Sequence, residues 1–290
     1  MPLVERDAGL GTLYERRAVY RLLDDWTAGR PASTALEGPH DGVAGMPGLH
    51  LLPLARRGAQ VTVCHPEPRA LEQAARVYDR CGLLGRLEAV RADAPPRDRT
   101  FDVVLSFNAL PLVDDWRRYL ADLMACTGGV LVLVVTNPFS YGALLARLRR
   151  RSRRELFDHP ATRPALLLPE LTRHARVLER RHVDCPWWPD LFVPAGESLL
   201  GALLGLPHHG ARPSYDAESF PSALIDPRAS TEWTRRLRWH PSLEGRPAWG
   251  RLFGHHLAYL ARPDRRELVG HADPSPTQRK PAPTPRNSTP

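Results

Sequence analysis

The chain has 290 residues, 42% hydrophobic and 25% charged, the balance of a folded globular protein rather than a disordered one. Its formal net charge is +8, yet Lys280 is the single lysine among 40 basic residues; arginines spread along the chain without interleaved aromatics argue against a nucleic-acid partner. The longest unbroken apolar run, Val130–Val135, is far short of the roughly 20 residues of a membrane span. The first 30 residues carry Glu5, Asp7, Glu15, Asp24 and Asp25 and no apolar segment of a secretory signal, so a cytoplasmic protein without a membrane partner is expected.

In chain order, Leu13–Trp26 has apolar residues at helical spacing and predicts an amphipathic helix, part of a cap over residues 1–32. Ser33–Leu36 leans toward a strand ending at Glu37. Gly38, Gly42, Gly45 and Gly48 follow within a few residues. Leu49–Arg57 reads as a helix stopped by Gly58. Val61–Cys64 predicts a strand, Arg69–Cys81 a helix, Leu87–Arg91 a strand, and the apolar run Phe101–Phe107 a strand buried on both faces. Trp116–Cys126 reads as a helix, with Gly128 and Gly129 as punctuation before the strand Val130–Thr136. Strands alternating with helices predict right-handed crossovers and a doubly wound α/β sheet.

The second half is less regular. Tyr141–Arg150 and Pro169–Ala175 predict helices, Arg176–Asp184 a sixth strand, and His255–Leu260 a late strand. Residues 186–250, rich in Pro, Trp and His, form an insert with a helix near Glu232–Arg238. Residues 264–290 end in the proline-rich Pro274–Pro290 and are predicted to form a disordered tail.

Ligands of an open parallel sheet bind at the carboxyl ends of its strands, where four features fall. Glu37 precedes the glycines, which let a backbone approach a nucleoside-type cofactor or simply form a loop. His65 ends the second strand, with Glu67 two residues on; His65 is either a ribose contact or a polar loop residue. Asp93, next to Ala94, is either a contact to an adenine amine or a turn acid. Asn108 follows Phe107 and offers an amide to orient a substrate, while Asp114 and Asp115 suit the first turn of the next helix. No phosphate-binding G-x-x-x-x-G-K-[ST] is present.

Cys64, Cys81, Cys126 and Cys185 form no C-x-x-C pair and read as reduced thiols. His208–His209 and His255–His256 lack the i,i+4 spacing of a helical zinc pair, so no metal is expected. Trp187, Trp188, Trp233, Trp239 and Trp249 pack the insert onto the sheet or line an aromatic pocket.

Taken together, GLHLLPLARRGAQVTV, HPEPRALEQAARV, RADA, FDVVLSFNALPLVDDWRRYLADL, GGVLVLVVTNPFSYG and HHLAYLAR resemble, in order, the blocks of class I S-adenosylmethionine-dependent methyltransferases. The resemblance implies a Rossmann-like sheet of about seven mostly parallel strands with an antiparallel last strand, spanning residues 33–263. It implies S-adenosylmethionine as cofactor, bound by Glu37, Gly38, Asp41, Gly42, Gly45, His65, Glu67, Asp93, Ala94, Phe107 and Asn108. It further implies methyl transfer to a small-molecule or peptide acceptor, with Asn108, His40 and Tyr14 as candidate catalytic groups. The sequence departs from the family pattern in the longer glycine segment, with Met46 where a glycine often stands, and in His65 where an acid is usual. Those departures leave a second reading, a methyltransferase fold kept as a binding or regulatory module. A nicotinamide-dependent dehydrogenase is a third, which DGVAGMPG fits poorly.

Overall fold

The computed structural model describes residues 10–29, 31–39, 47–148, 158–185 and 247–264. Helix α1 (Leu10–Thr27) precedes strand β1 (Thr34–Glu37). A 3-10 turn (Leu49–Leu51) leads into α2 (Leu52–Arg56), then β2 (Gln60–His65), α3 (Pro68–Arg80), β3 (Leu87–Arg91) and β4 (Phe101–Phe107). Helix α4 (Trp116–Ala125), β5 (Thr127–Thr136), α5 (Tyr141–Leu148), α6 (Pro164–His174), β6 (Ala175–Val183), α7 (Pro247–Phe253) and β7 (His256–Pro263) follow, with further 3-10 turns at Leu84–Arg86, Leu110–Leu112 and Pro160–Thr162.

The seven strands form one sheet in the order β3-β2-β1-β4-β5-β7-β6. Neighbours from β3 to β5 pair in parallel, and β7 runs against both β5 and β6, so β7 alone opposes the other six. Alternation along the strands divides the core into two layers. Val130, Val132 and Val134 pack with α1, α2 and α3, whereas Leu131, Leu133 and Val135 pack with α4 and α6. The near-continuous apolar composition of β4 and β5 follows from this coverage on both faces.

Two local expectations are corrected. Gly128 and Gly129 lie inside β5 rather than before it, because the register slips between Phe101 and Val103. Phe101 accordingly packs in the layer opposite to Val103. A Cβ on Gly129 would sit 2.2 Å from the Asp102 carbonyl oxygen, so the bulge accepts glycine there. The helix expected from Pro169 starts five residues earlier, at Pro164, and carries Pro169 inside it. Glu37 is the last residue of β1, as expected, and is paired with Val63 and Leu105.

No helix among the described residues is long and apolar enough to cross a membrane. The four cysteines are free thiols, and burial pushes the Cys64 thiol up to about 11 and that of Cys126 to about 12. The helix expected near Glu232–Arg238, most of the 186–250 insert and residues 265–290 lie outside the described residues.

Candidate active site at the strand carboxyl ends

Strand order reverses between β1 and β4, and ligands of such sheets bind outside the carboxyl ends at that switch point. Glu37 ends β1, and Phe107 ends β4, with Asn108 immediately after it. The glycines at this edge are needed for their backbone. Gly38 has φ 142°, and a Cβ on it would lie 2.5 Å from the Cys64 carbonyl oxygen; Gly48 has φ 84°, and a Cβ there would meet Val63 Cγ2 at 2.9 Å. Both turns therefore exclude larger residues. Each is also tied down, since the Tyr119 hydroxyl donates to the Gly38 carbonyl at 2.7 Å and the Tyr78 hydroxyl to that of Gly48 at 2.9 Å.

The Glu37 side chain is buried on the α1 side of the sheet. Its Oε1 lies 2.8 Å from His50 Nδ1, and a guanidinium nitrogen of Arg16 contacts His50 Nε2. Arginine only donates, so His50 accepts at Nε2 and donates its Nδ1–H to Glu37. Burial, with the Arg16 charge adding to it, holds the His50 pKa well below its ordinary value and keeps the ring neutral. The other Glu37 oxygen, Oε2, is buried without a hydrogen-bond partner. Burial raises the Glu37 carboxyl to about 7, against the opposing pull of Arg16 and of the backbone N–H groups of Gly48 and His50.

A second histidine-centred chain lies beside the first. Asn108 adopts φ 50°, a left-handed conformation that asparagine tolerates better than most residues. The Thr136 hydroxyl donates to Asn108 Oδ1 at 3.2 Å, which turns the amide nitrogen toward His256 Nδ1, also at 3.2 Å. His256 therefore carries its proton on Nε2, 2.9 Å from Glu15 Oε2. Asp184 Oδ2 lies 3.8 Å from the same nitrogen and 2.9 Å from His255 Nδ1. The Phe107 ring separates the two chains, stacked on His50 at 4.2 Å between centroids and edge-on to His256 at 5.0 Å. The adjacent residues Glu15 and Arg16 on α1 thus serve different histidines on either side of one aromatic ring.

On the α4 side of the sheet, Asp93 and Ala94 line an open cleft of about 290 Å³ with Leu112, Val113 and Tyr119. The same Tyr119 holds the Gly38 carbonyl, so this cleft and the buried Glu37 side chain flank the end of β1. Asp115 is the N-cap of α4, its carboxylate accepting from the Arg118 N–H at 3.1 Å. At the end of β2, His65 is buried and its Nδ1 accepts the Glu67 N–H at 3.0 Å, while the Glu67 side chain is exposed.

The fold brings Glu37, Gly38, Phe107 and Asn108 together and sets Asp93 and Ala94 across a cleft from Tyr119. Tyr14 is buried on α1. His40, Asp41, Gly42 and Gly45 lie outside the described residues. Sequence reasoning missed Glu15, Arg16, His50, Asp184 and Thr136. Their partners are distant in the chain, and only the pairing of buried-helix charges with strand-end histidines could have pointed to them.

Residues 42–133 match the family model described as a methyltransferase domain. Among solved structures, the chain is similar to StiE O-MT residues 961–1257, at 15% identity, 86% of this chain, 74% of that chain and TM-score 0.47. The MccD protein gives 11% identity, 84% and 94% coverage and TM-score 0.48. The magnesium protoporphyrin IX methyltransferase (ChlM) of Synechocystis PCC 6803 with bound SAM gives 14% identity, 59% and 72% coverage and TM-score 0.43. No curated protein matches the chain in sequence. The match places a methyltransferase domain on residues 42–133, a stretch that runs from before β2 into β5 of the seven-stranded sheet.

Proposed function

We propose that the chain transfers a methyl group from S-adenosylmethionine to a small-molecule or peptide acceptor at the carboxyl ends of β1 and β4. One observation carries the reading: the buried Glu37 carboxylate has an oxygen, Oε2, without a partner, beside two turns that only glycine fits. Such a group suits a cationic ligand end, because a cation on the unpaired oxygen offsets part of the desolvation cost of the carboxylate. The residues present therefore fit the amino end of the cofactor.

In this reading Glu37 accepts from the cofactor's ammonium, while Gly38 and Gly48 allow close backbone approach. His65 and Glu67 serve the ribose, and Asp93 and Ala94 serve the adenine in the cleft that Tyr119 helps to line. Phe107 forms the wall between cofactor and acceptor, and Asn108 orients the acceptor. Asp41, Gly42 and Gly45 complete the cofactor segment, with His40 and Tyr14 as the remaining acid–base candidates. When bound, the cofactor supplies an activated methyl on a sulfonium; the protein's task is alignment, which is worth roughly 7–11 kcal/mol for well-oriented reactants. The Asn108–His256–Glu15 chain fixes the Asn108 amide, so the orienting group is already held before the acceptor arrives.

Calorimetry with S-adenosylmethionine and S-adenosylhomocysteine tests the reading. Binding is expected in the wild type and weakened about 10- to 100-fold in Glu37→Gln, the loss of one charge-assisted hydrogen bond. A smaller loss is expected in Asp93→Ala. Undiminished affinity in Glu37→Gln would remove the carboxylate from the cofactor site.

A further inference from the structure

We propose that Glu15, Asp184 and His256 form a binding site for one divalent transition-metal ion. The inference does not rest on the methyl-transfer reading, and it concerns residues that reading assigns no ligand. The three donors come from α1, the residue after β6 and the first residue of β7, so chain spacing gives no sign of them.

The geometry suits an ion. His256 Nε2 is 2.9 Å from Glu15 Oε2 and 3.8 Å from Asp184 Oδ2, and all three ligand atoms lie within 4.8 Å of one another. Metal–ligand bonds of roughly 2.0–2.2 Å put donor atoms about 3–4 Å apart around one centre. The charge also suits one. Two carboxylates meet here, and among the described residues their ion-pair partners are only His255 and His256. Asp184 is 2% exposed, and its second oxygen, Oδ1, is buried with no hydrogen-bond partner. An acceptor left unpaired beside a histidine and another carboxylate is what a bidentate ligand shows before its ion arrives.

Supporting groups surround the donors as a metal site requires. His255 Nδ1 orients Asp184 Oδ2 at 2.9 Å, and the Asn108 amide faces the far nitrogen of His256 at 3.2 Å. Without an ion, His256 donates Nε2–H to Glu15. Coordination through Nε2 moves that proton to Nδ1, where Asn108 receives it by turning its amide and presenting Oδ1. The Thr136 hydroxyl then accepts from the amide nitrogen. One imidazole with two carboxylates favours ions such as Zn²⁺, Co²⁺ or Mn²⁺ over Ca²⁺, and three protein donors leave a position open for water or an acceptor atom.

The test is titration of the metal-stripped full chain, without cofactor, by Zn²⁺ calorimetry and by Co²⁺ visible absorption. One ion per chain is expected, with affinity reduced about tenfold or more in Glu15→Gln and in Asp184→Asn. Melting in chelator, unchanged from wild type in Glu15→Gln, separates lost ligation from lost folding. The proposal is overturned by absence of stoichiometric binding, by equal affinity in both variants, or by loss of binding in a His208→Gln/His209→Gln protein. Because cofactor affinity is measured separately, failure here leaves the methyl-transfer reading standing, and the reverse also holds.

Discussion

Glu37 joins two opposed demands in one side chain. As a buried carboxyl raised to about 7 from an ordinary 4.5, it favours the folded state while protonated. The unfolded chain ionises it at lower pH, so this contribution to stability is complete below about 4.5 and is lost as pH rises through about 7. The shift amounts to about 3 kcal/mol. His50, whose pKa is depressed by burial, works in the opposite sense: its contribution is present above the unfolded value of 6.5 and is lost as pH falls below it. A comparison of wild type with Glu37→Gln, which keeps His50, isolates the glutamate. Ligand-free Glu37→Gln is expected to melt several degrees above wild type at pH 8 and near it at pH 5, while binding S-adenosylhomocysteine more weakly. Thermal melts across that pH range check this, and parallel curves for the two proteins would rule out the titration. The same logic makes cofactor affinity in the wild type rise with pH up to about 7, since a cationic ligand end selects the ionised carboxylate.

At the level of elements, much of the fold was legible because its strands announce themselves chemically. β3 and β4 have the expected bounds, since β-branched and apolar runs flanked by polar turns leave few alternatives. The failures occur where a local signal has two structural uses. Glycine pairs usually mark turns, but Gly128 and Gly129 instead let β5 bulge past Asp102, whose carboxylate receives the N–H groups of Ser33 and Thr34 at 2.8 and 3.0 Å. Pro169 resembles a helix start, yet the apolar residues Leu167 and Leu171 on either side of it bury in the α4 layer and carry the helix through. The bulge gives a direct prediction. Gly129→Ala forces a methyl group into the Asp102 carbonyl and is expected to destabilise the protein by more than about 2 kcal/mol, measured by urea unfolding. Gly58→Ala serves as the contrast: it has φ 98° but open space around its Cβ, so it carries only the conformational cost of about 1–2 kcal/mol. Equal losses at the two positions would mean that the β4–β5 register does not depend on the glycine.

Across the whole molecule, the candidate-site residues that sequence reasoning named are those that are local in the chain: Glu37 with its glycines, Asp93 with Ala94, and Phe107 with Asn108. The remainder depends on α1, which brings Glu15 and Arg16 to residues 34 to 241 positions away. No periodicity encodes such partners; they emerge only when the helix docks across the finished sheet. The other end of α1 is fixed in the same way, by the Trp26 indole N–H donating to Glu179 at 2.9 Å, the Arg181–Asp25 pair at 2.7 Å and Arg57 donating to Thr27 Oγ1 at 2.6 Å. These are side-chain contacts, whereas the strands are joined by continuous backbone ladders. A helix held this way is expected to open as its own unit, below the free energy of global unfolding. Trp26→Phe keeps the ring in the core but removes the indole donor, at about 1 kcal/mol. Hydrogen exchange should then quicken about fivefold in α1 while the amides of β4 and β5 keep their wild-type rates. Equal acceleration in helix and strands would show that α1 unfolds only with the sheet. In that case the histidine chains it supports would be as rigid as the core, and acceptor entry would have to use the side of the sheet edge that α1 does not cover.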